Sequence, residues 1–341
     1  MDKVAALTDE QRRDLFEQTA SARGVHPAII EKDFWVCWVL KKLFTSEDLS
    51  CHLVFKGGTS LSKVYQLIDR FSEDIDLVLN WELLGYGKDG RDPWEEQSSN
   101  TKQHQFNAEF NERAQSYIEK TLCPLVQELV ASCSGVVPLV SATEAQVVDI
   151  QYPNAFALNA LRPEVKLEIG PLASWVPSAR HVIQPYAAEE FGKVFDDPDC
   201  PVVAITAERT FWEKVTILHQ QAHRTTAMPR GYSRHYSRHY YDIFRLAASS
   251  VKDAAFSDLQ LLSDVVEFKQ RFYPCTWAHY QNAKRGTLRL LPTGEGSGEL
   301  ADDYRTMQTM IFSTPPSWED ISYSLTELET EINTIPNGRE V

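Results

Sequence analysis

The sequence has no long apolar run. Its longest, Phe34 to Leu40, is seven residues, far short of the roughly 20 that a helix needs to cross a bilayer. The opening segment, MDKVAALTDEQRRDLF, is polar and lacks the apolar stretch of a secretory signal. Cysteine is sparse: six residues, scattered, with no C-x-x-C pair and no zinc motif. That pattern points to reduced thiols and a cytoplasmic protein, and Cys37, inside the apolar run, reads as a small hydrophobe. His219 and His223 stand four apart, but no Glu follows His219 to make H-E-x-x-H, and no metal is expected there. Repeat architecture is missing too; the one duplication is Ser-Arg-His-Tyr at 233–236, recurring at 237–240. Positive charge is in the minority, with 34 Lys and Arg against 48 Asp and Glu and a net charge of −14. This argues against broad nonspecific nucleic-acid binding. It leaves room for a local basic site: Arg224, Arg230, Arg234, His235, Arg238 and His239 fall within sixteen residues. That run is either a solvated loop or a phosphate-facing one.

What is present begins with size: 341 residues, 43% hydrophobic, suffice for two domains with a core each. The most informative stretch is FKGGTSLSKVYQLIDRFSEDIDLVL, Phe55 to Leu79. Leu53-Val54-Phe55 reads as a strand, broken by Gly57 and Gly58. Thr59 or Ser60 is suited to cap the helix that follows, in which Leu61, Val64, Tyr65 and Ile68 keep helical spacing. Asp74-Ile75-Asp76-Leu77-Val78-Leu79 reads as a second strand. Alternation puts Asp74 and Asp76 on one face, with Ser72 joining them if the strand starts early. Two carboxylates on one face call for a cation, and a hard divalent ion such as Mg²⁺ suits them. Free N–H groups at a helix start attract phosphate oxygens. Taken separately, the glycine pair and the D-x-D also suit a surface turn and a solvated acidic strand. Their joint order is far more specific, and it describes a site for a metal–nucleotide complex.

Elsewhere, Thr8 and Gln11 form a capping box for a helix over 8–22. Pro27 opens a helix over 27–44 whose apolar run is flanked by Glu31-Lys32-Asp33 and Lys41-Lys42. Residues 80–105 read as an insertion or long loop, 106–131 as helix, and 145–152, 163–170 and 201–206 as strands. In the strand PEVKLEIG, Glu164, Lys166 and Glu168 share one face, as either a solvated edge or part of a site. From Thr206 onward the chain reads as mainly helical, with a Gly/Pro/Ser-rich loop near 286–298. Lys214 lies at the rim of the buried stripe of the helix 207–224, where a lysine either snorkels or reaches into a cleft. Asp242 falls at the start of a further helix.

GGTSLSKVYQLIDRFSEDIDL resembles the first motif of the AbiEii toxins, a branch of the DNA polymerase beta nucleotidyltransferase superfamily that also holds the MenT toxins. Fifteen residues separate Gly58 from Asp74, a little long for the broad superfamily. IIEKDFWVCWVLKKLF, the E-K of AERTFWEKVTILHQQAHR, and SRHYYDIFRL resemble further segments of that family. The resemblance implies an α+β fold: a polymerase-beta-like nucleotidyltransferase domain with a small mixed sheet over 1–203, a mainly helical domain over 204–341, and an active cleft between them. It implies a Mg²⁺-dependent transferase in which Asp74, Asp76 and Glu168 (with Glu164 in reserve) hold metal. Gly57, Gly58, Thr59, Ser60 and Ser72 then serve nucleotide binding, with Ser72 alternatively a phosphorylation point. Lys214 serves the phosphates, and Asp242 holds it in place as a charged amine or positions a substrate. The implied reaction moves an NMP from an NTP to an RNA acceptor, in particular a tRNA 3′ end. The implied partner is a cognate AbiEi-like antitoxin, in a phage-defence setting. Two alternatives stand beside it: transfer to a small molecule such as an aminoglycoside, and a non-catalytic nucleotide-binding regulator.

Overall fold

The computed structural model describes residues 1–72, 74–87, 90–158, 161–171, 175–224, 236–292 and 295–335, the side chains of 295–297 excepted. The chain divides into two units: Met1–Val64 with Ser72–Ile205, and Tyr65–Phe71 with Thr206–Val341. In the first unit a short helix α1 (Asp2–Ala5) precedes α2 (Asp9–Arg23). The capping box forms as read: the Thr8 hydroxyl accepts from the Gln11 N–H, and the Gln11 side chain accepts from the Thr8 N–H. Helix α3 (Pro27–Thr45) starts with its proline in the first turn, where a missing N–H is harmless. Every residue from Ile30 to Leu40 is buried. Glu31, Lys32 and Asp33, read from sequence as flanks of the apolar run, are inside the protein with it.

Strand β1 (Leu53–Lys56) runs straight into helix α4 (Gly57–Lys63), followed later by strand β2 (Asp74–Leu79). Helices α5 (Asn100–Tyr117) and α6 (Cys123–Val130) are joined by a π-helical turn, Ile118–Leu122. Four strands follow, β3 (Val137–Val140), β4 (Val147–Gln151), β5 (Glu164–Gly170) and β6 (Ser178–Ile183). Helix α7 (Tyr186–Phe191) and strand β7 (Cys200–Ile205) complete the unit. The seven strands form one mixed sheet in the order β3-β4-β5-β2-β1-β7-β6. The pairs β1–β7 and β2–β5 are parallel; the others are antiparallel.

The fold is α+β, as expected, but its sheet is larger than the sequence suggested. The two unforeseen strands, β3 and β6, are its edges. In β3 the apolar Val137 and Leu139 face outward while Pro138 is buried, and β6 is mostly exposed, so neither carries a core-facing apolar pattern. Helix α5 starts six residues before the expected 106, because Ser99 caps it. Helix α4 is shorter than expected. It starts at Gly57 with Lys56 as its N-cap, so neither Thr59 nor Ser60 caps it, and it ends at Lys63.

In the second unit the described residues hold α8 (Ala207–Ala222), α9 (Arg238–Ala247), α10 (Ser250–Ser257), α11 (Leu259–Phe272), α12 (Glu295–Met307) and α13 (Trp318–Thr334). Helix α12 starts inside the stretch read as a loop. Tyr65–Phe71 joins these helices as an extended segment: Arg70 bridges Ile311, Phe71 N–H donates to Met310 O at 2.8 Å, and Phe312 N–H donates to Asp69 O at 3.1 Å. Among the described residues no helix is long and apolar enough to cross a membrane.

Candidate active site

Antiparallel pairing sets Lys56 opposite Asp76. The next residue, Gly57, has φ +78, and a Cβ added to it would meet Asp76 Oδ2 at 1.8 Å. The position therefore needs glycine twice over, once for the left-handed backbone and once because the carboxylate occupies the side chain's place. The far side of the motif is tied down by Thr59. It is buried, and its hydroxyl lies 2.5 Å from Asp74 O and 3.0 Å from Ser72 Oγ. Ser60 is buried as well and donates to Gly57 O at 2.9 Å. The hydroxyls of Thr59 and Ser60, read from sequence as facing phosphate, are thus engaged within the protein.

Asp74 and Asp76 are half-buried on one face of β2, while Ile75 and Leu77 are buried on the other. In-register neighbours share a face, which gives this face two rows. One runs Lys56–Asp76–Glu168–Val147, the other Asp74–Lys166–Asp149. Farther along β2 the face turns apolar, with Val54, Val78 and Ile205 packed under Trp175 and Val203. Lys166 lies 2.7 Å from Glu168 Oε1 and 2.5 Å from Glu144 Oε2. Burial pulls its ammonium pKa down, but these two carboxylates and Asp74 outweigh it and raise the pKa. Asp149 Oδ1 is buried with no hydrogen-bond partner. Glu168 thus neighbours Asp76 with its carboxylate turned to Lys166, whereas Glu164 lies farther down β5, opposite Gln151.

The donor set suits a hard divalent ion. Mg²⁺ is commonly held by one or two carboxylates, with substrate phosphates and water completing its shell. Asp74 and Asp76 supply such a pair. Among the described residues no group of three or more His, Cys, Asp and Glu is arranged to hold an ion, so Glu168 does not form a ready-made cage with them.

In the second unit, Asp242 is completely buried. It accepts from Arg70 Nε at 2.7 Å and Arg70 Nη2 at 2.8 Å, and Lys214 Nζ lies 2.8 Å from its Oδ2. The planar guanidinium makes the bidentate contact that a lysine cannot. Burial pushes the Asp242 pKa up, but Arg70 and Lys214 outweigh it and hold the carboxyl well below its ordinary value. Lys214 is buried too, not at a solvent rim, and its ammonium sits 3.4 Å from His239 Nδ1. Its pKa is lowered, which corrects the expectation that pairing with Asp242 would favour the charged amine. Burial outweighs the pull of Asp242, and the positive charges of Arg70 and Arg238 add to it. Burial likewise lowers His239 well below its usual value, helped by Lys214 and Arg238, so the neutral ring accepts from the lysine. Asp242 is the fifth residue of α9, not in its opening position. Arg230, Arg234 and His235 of the basic run lie outside the described residues. His219 uses both ring nitrogens, Nδ1 accepting from Arg289 N–H at 3.0 Å and Nε2 donating to His279 O at 3.2 Å.

Sequence reasoning overlooked Arg70 and Lys63. Arg70 stands between Ile68 and Phe71 with no local mark of its role. Lys63 closes the GGTSLSK segment, and a lysine ending a buried helix was a usable signal.

The sequence profile described as "Nucleotidyl transferase AbiEii toxin, Type IV TA system" matches residues 38–324. A search of curated proteins finds no match. Among solved structures, the MenT4 nucleotidyltransferase toxin of Mycobacterium tuberculosis H37Rv is similar at 16% identity and a TM-score of 0.42, over 95% of this chain and 97% of that one. An H. pylori protein proposed to be a nucleotidyltransferase is similar at 14% identity and a TM-score of 0.41, over 91% of this chain and 97% of that one.

Proposed function

Since the chain belongs to the AbiEii family of nucleotidyl transferase toxins of type IV toxin–antitoxin systems, we propose that it transfers an NMP from an NTP to an RNA acceptor, the 3′ end of a tRNA, and is restrained by a cognate antitoxin in the cytoplasm. The observation that carries the reading is the fit of Asp76 against Gly57, where a Cβ would stand 1.8 Å from the carboxylate. It joins the two halves of the motif physically. Asp74 and Asp76 would hold Mg²⁺, which when bound neutralises triphosphate charge and acidifies the attacking hydroxyl. The backbone of Gly57, Gly58, Thr59 and Ser60, with Ser72, is assigned to nucleotide phosphates. Lys214 is assigned to charge on the leaving group, with Asp242 and Arg70 fixing its head. Glu168 is kept as a metal ligand only if Lys166 releases it.

A small cationic acceptor such as an aminoglycoside is the second reading, favoured by the net charge of −14. A non-catalytic regulator would have little use for both Asp74 and Asp76. Incubation with α-labelled NTPs, Mg²⁺ and either total tRNA or amino-sugar antibiotics tests all three. Label appearing on tRNA supports the proposal. Label on the antibiotic alone, or on neither, overturns it.

A further inference from the structure

The triplet Glu31-Lys32-Asp33 is the place where α3 spends charge inside the protein, at 1%, 1% and 5% exposure. Each side chain goes to a different segment. Glu31 accepts from the Ala155 and Phe156 N–H groups at 2.9 and 3.1 Å. Lys32 donates to Arg162 O at 3.1 Å and to Glu164 O, at the start of β5. Asp33 pairs with Lys63 at 2.8 Å, both side chains 5% exposed, and accepts from Tyr186 N–H at 2.7 Å. Lys63 also donates to Gln184 O at 2.9 Å and lies 3.7 Å over the Tyr186 ring.

Lys63 is the last residue of α4, and Gly57 is the first. A seven-residue helix is about 10 Å long, so gripping one end fixes the other. Strand β2 is therefore bracketed. On one side β1 and α4 are held through Lys63 and Asp33, and on the other β5 is held at its start by Lys32. A buried ion pair is a poor source of stability, since apolar residues of similar volume commonly replace it at no loss. What it supplies is one defined geometry.

We propose that Asp33 and Lys63 are positioning residues for nucleotidyl transfer, fixing α4 so that Gly57 stays against the Asp76 carboxylate. The inference rests on the transferase reading. Its test is the double variant Asp33→Asn/Lys63→Gln, which removes both charges at once but keeps an acceptor for Tyr186 N–H and a donor for Gln184 O. The expected result is a melting temperature within about 3 °C of wild type. The kcat of tRNA labelling falls about 100-fold, as for a displacement of about 1 Å, and the KM for NTP changes less than about threefold. Hydrogen exchange of the amides at 57–63 speeds up at least about tenfold. A folded double variant with kcat within about threefold of wild type overturns the inference, and so does unchanged exchange at 57–63. If wild type itself labels no acceptor, the reaction assignment fails, and the exchange measurement still decides the positioning claim. If the double variant does not fold, Lys63→Arg, which keeps a cation beside Asp33 but changes its shape and reach, is read by the same two measurements.

Discussion

Gly57→Ala separates the two demands made on that turn. Gly57 has φ +78, and an added Cβ would lie 1.8 Å from Asp76 Oδ2. Gly24, which ends α2, has φ +68 with nothing within 4 Å of the same added atom. An alanine in the left-handed region costs about 1–2 kcal/mol at either position. Only at Gly57 must a carboxylate also retreat, by about 1.7 Å, to reach ordinary contact distance. Gly24→Ala should lose about 1–2 kcal/mol in urea unfolding, and Gly57→Ala that much plus about 1–3 kcal/mol for the overpacking against Asp76. Transfer should part them: Gly24→Ala within about twofold of wild type, Gly57→Ala down about 100-fold. The assay is incorporation of α-labelled nucleotide into total tRNA at saturating Mg²⁺ and NTP. Gly57→Ala with transfer within about threefold of wild type would refute the reasoning, because it would show that the Asp76 position is not what the glycine protects.

Asp76→Asn removes charge with little change of shape and should abolish labelling while the melting temperature holds; near-normal labelling would end the two-carboxylate reading. In the second unit, two cations share Asp242, so Asp242→Asn should cost about 3–5 kcal/mol, leaving both unpaired. Lys214→Met leaves a matched Arg70–Asp242 pair and should cost less than about 2 kcal/mol while labelling is lost; urea melts showing the reverse order would contradict this charge count. Burial lowers His219 to about 4, against about 6.5 unfolded. The folded state thus favours the neutral ring. The resulting stability, up to about 3 kcal/mol, is full above about pH 6.5 and lost as pH falls through about 4. Glu31, pushed by burial up to about 7, acts with the opposite sign between about pH 4.5 and 7. The measurement is therefore the difference between wild type and His219→Gln, which should shrink as pH drops from 7 to 4.

Local features were legible in the sequence because their causes are local. The capping box at Thr8 and Gln11, the proline opening α3, and the alternation that puts Asp74 and Asp76 on one face need only neighbouring residues. The helix α4 was read too long because Val64, Tyr65 and Ile68 keep the right period, and periodicity cannot see that the chain turns away. Gln66 takes φ +53, and Tyr65–Phe71 belongs to the second unit. The burial of Glu31, Lys32 and Asp33 was hidden for the converse reason: charged residues read as surface until their partners, between 30 and 153 positions away, are known.

The spacing between the two halves of the first motif shows what a one-dimensional reading loses. Fifteen residues lie between Gly58 and Asp74, and seven of them, Tyr65–Phe71, are packed with the second unit. Arg70 from that excursion makes the bidentate contact to Asp242, 172 positions on. The extra length is therefore a strand-like segment bonded to residues 310–312 and the source of the guanidinium that neutralises Asp242. Shortening it would not tighten a loop. It would leave Asp242 buried with Lys214 as its remaining ion-pair partner, and it would remove a guanidinium that lowers the lysine's pKa. The last motif is thus tied to a residue that lies inside the first motif's stretch, between its glycine pair and its D-x-D, but is part of neither.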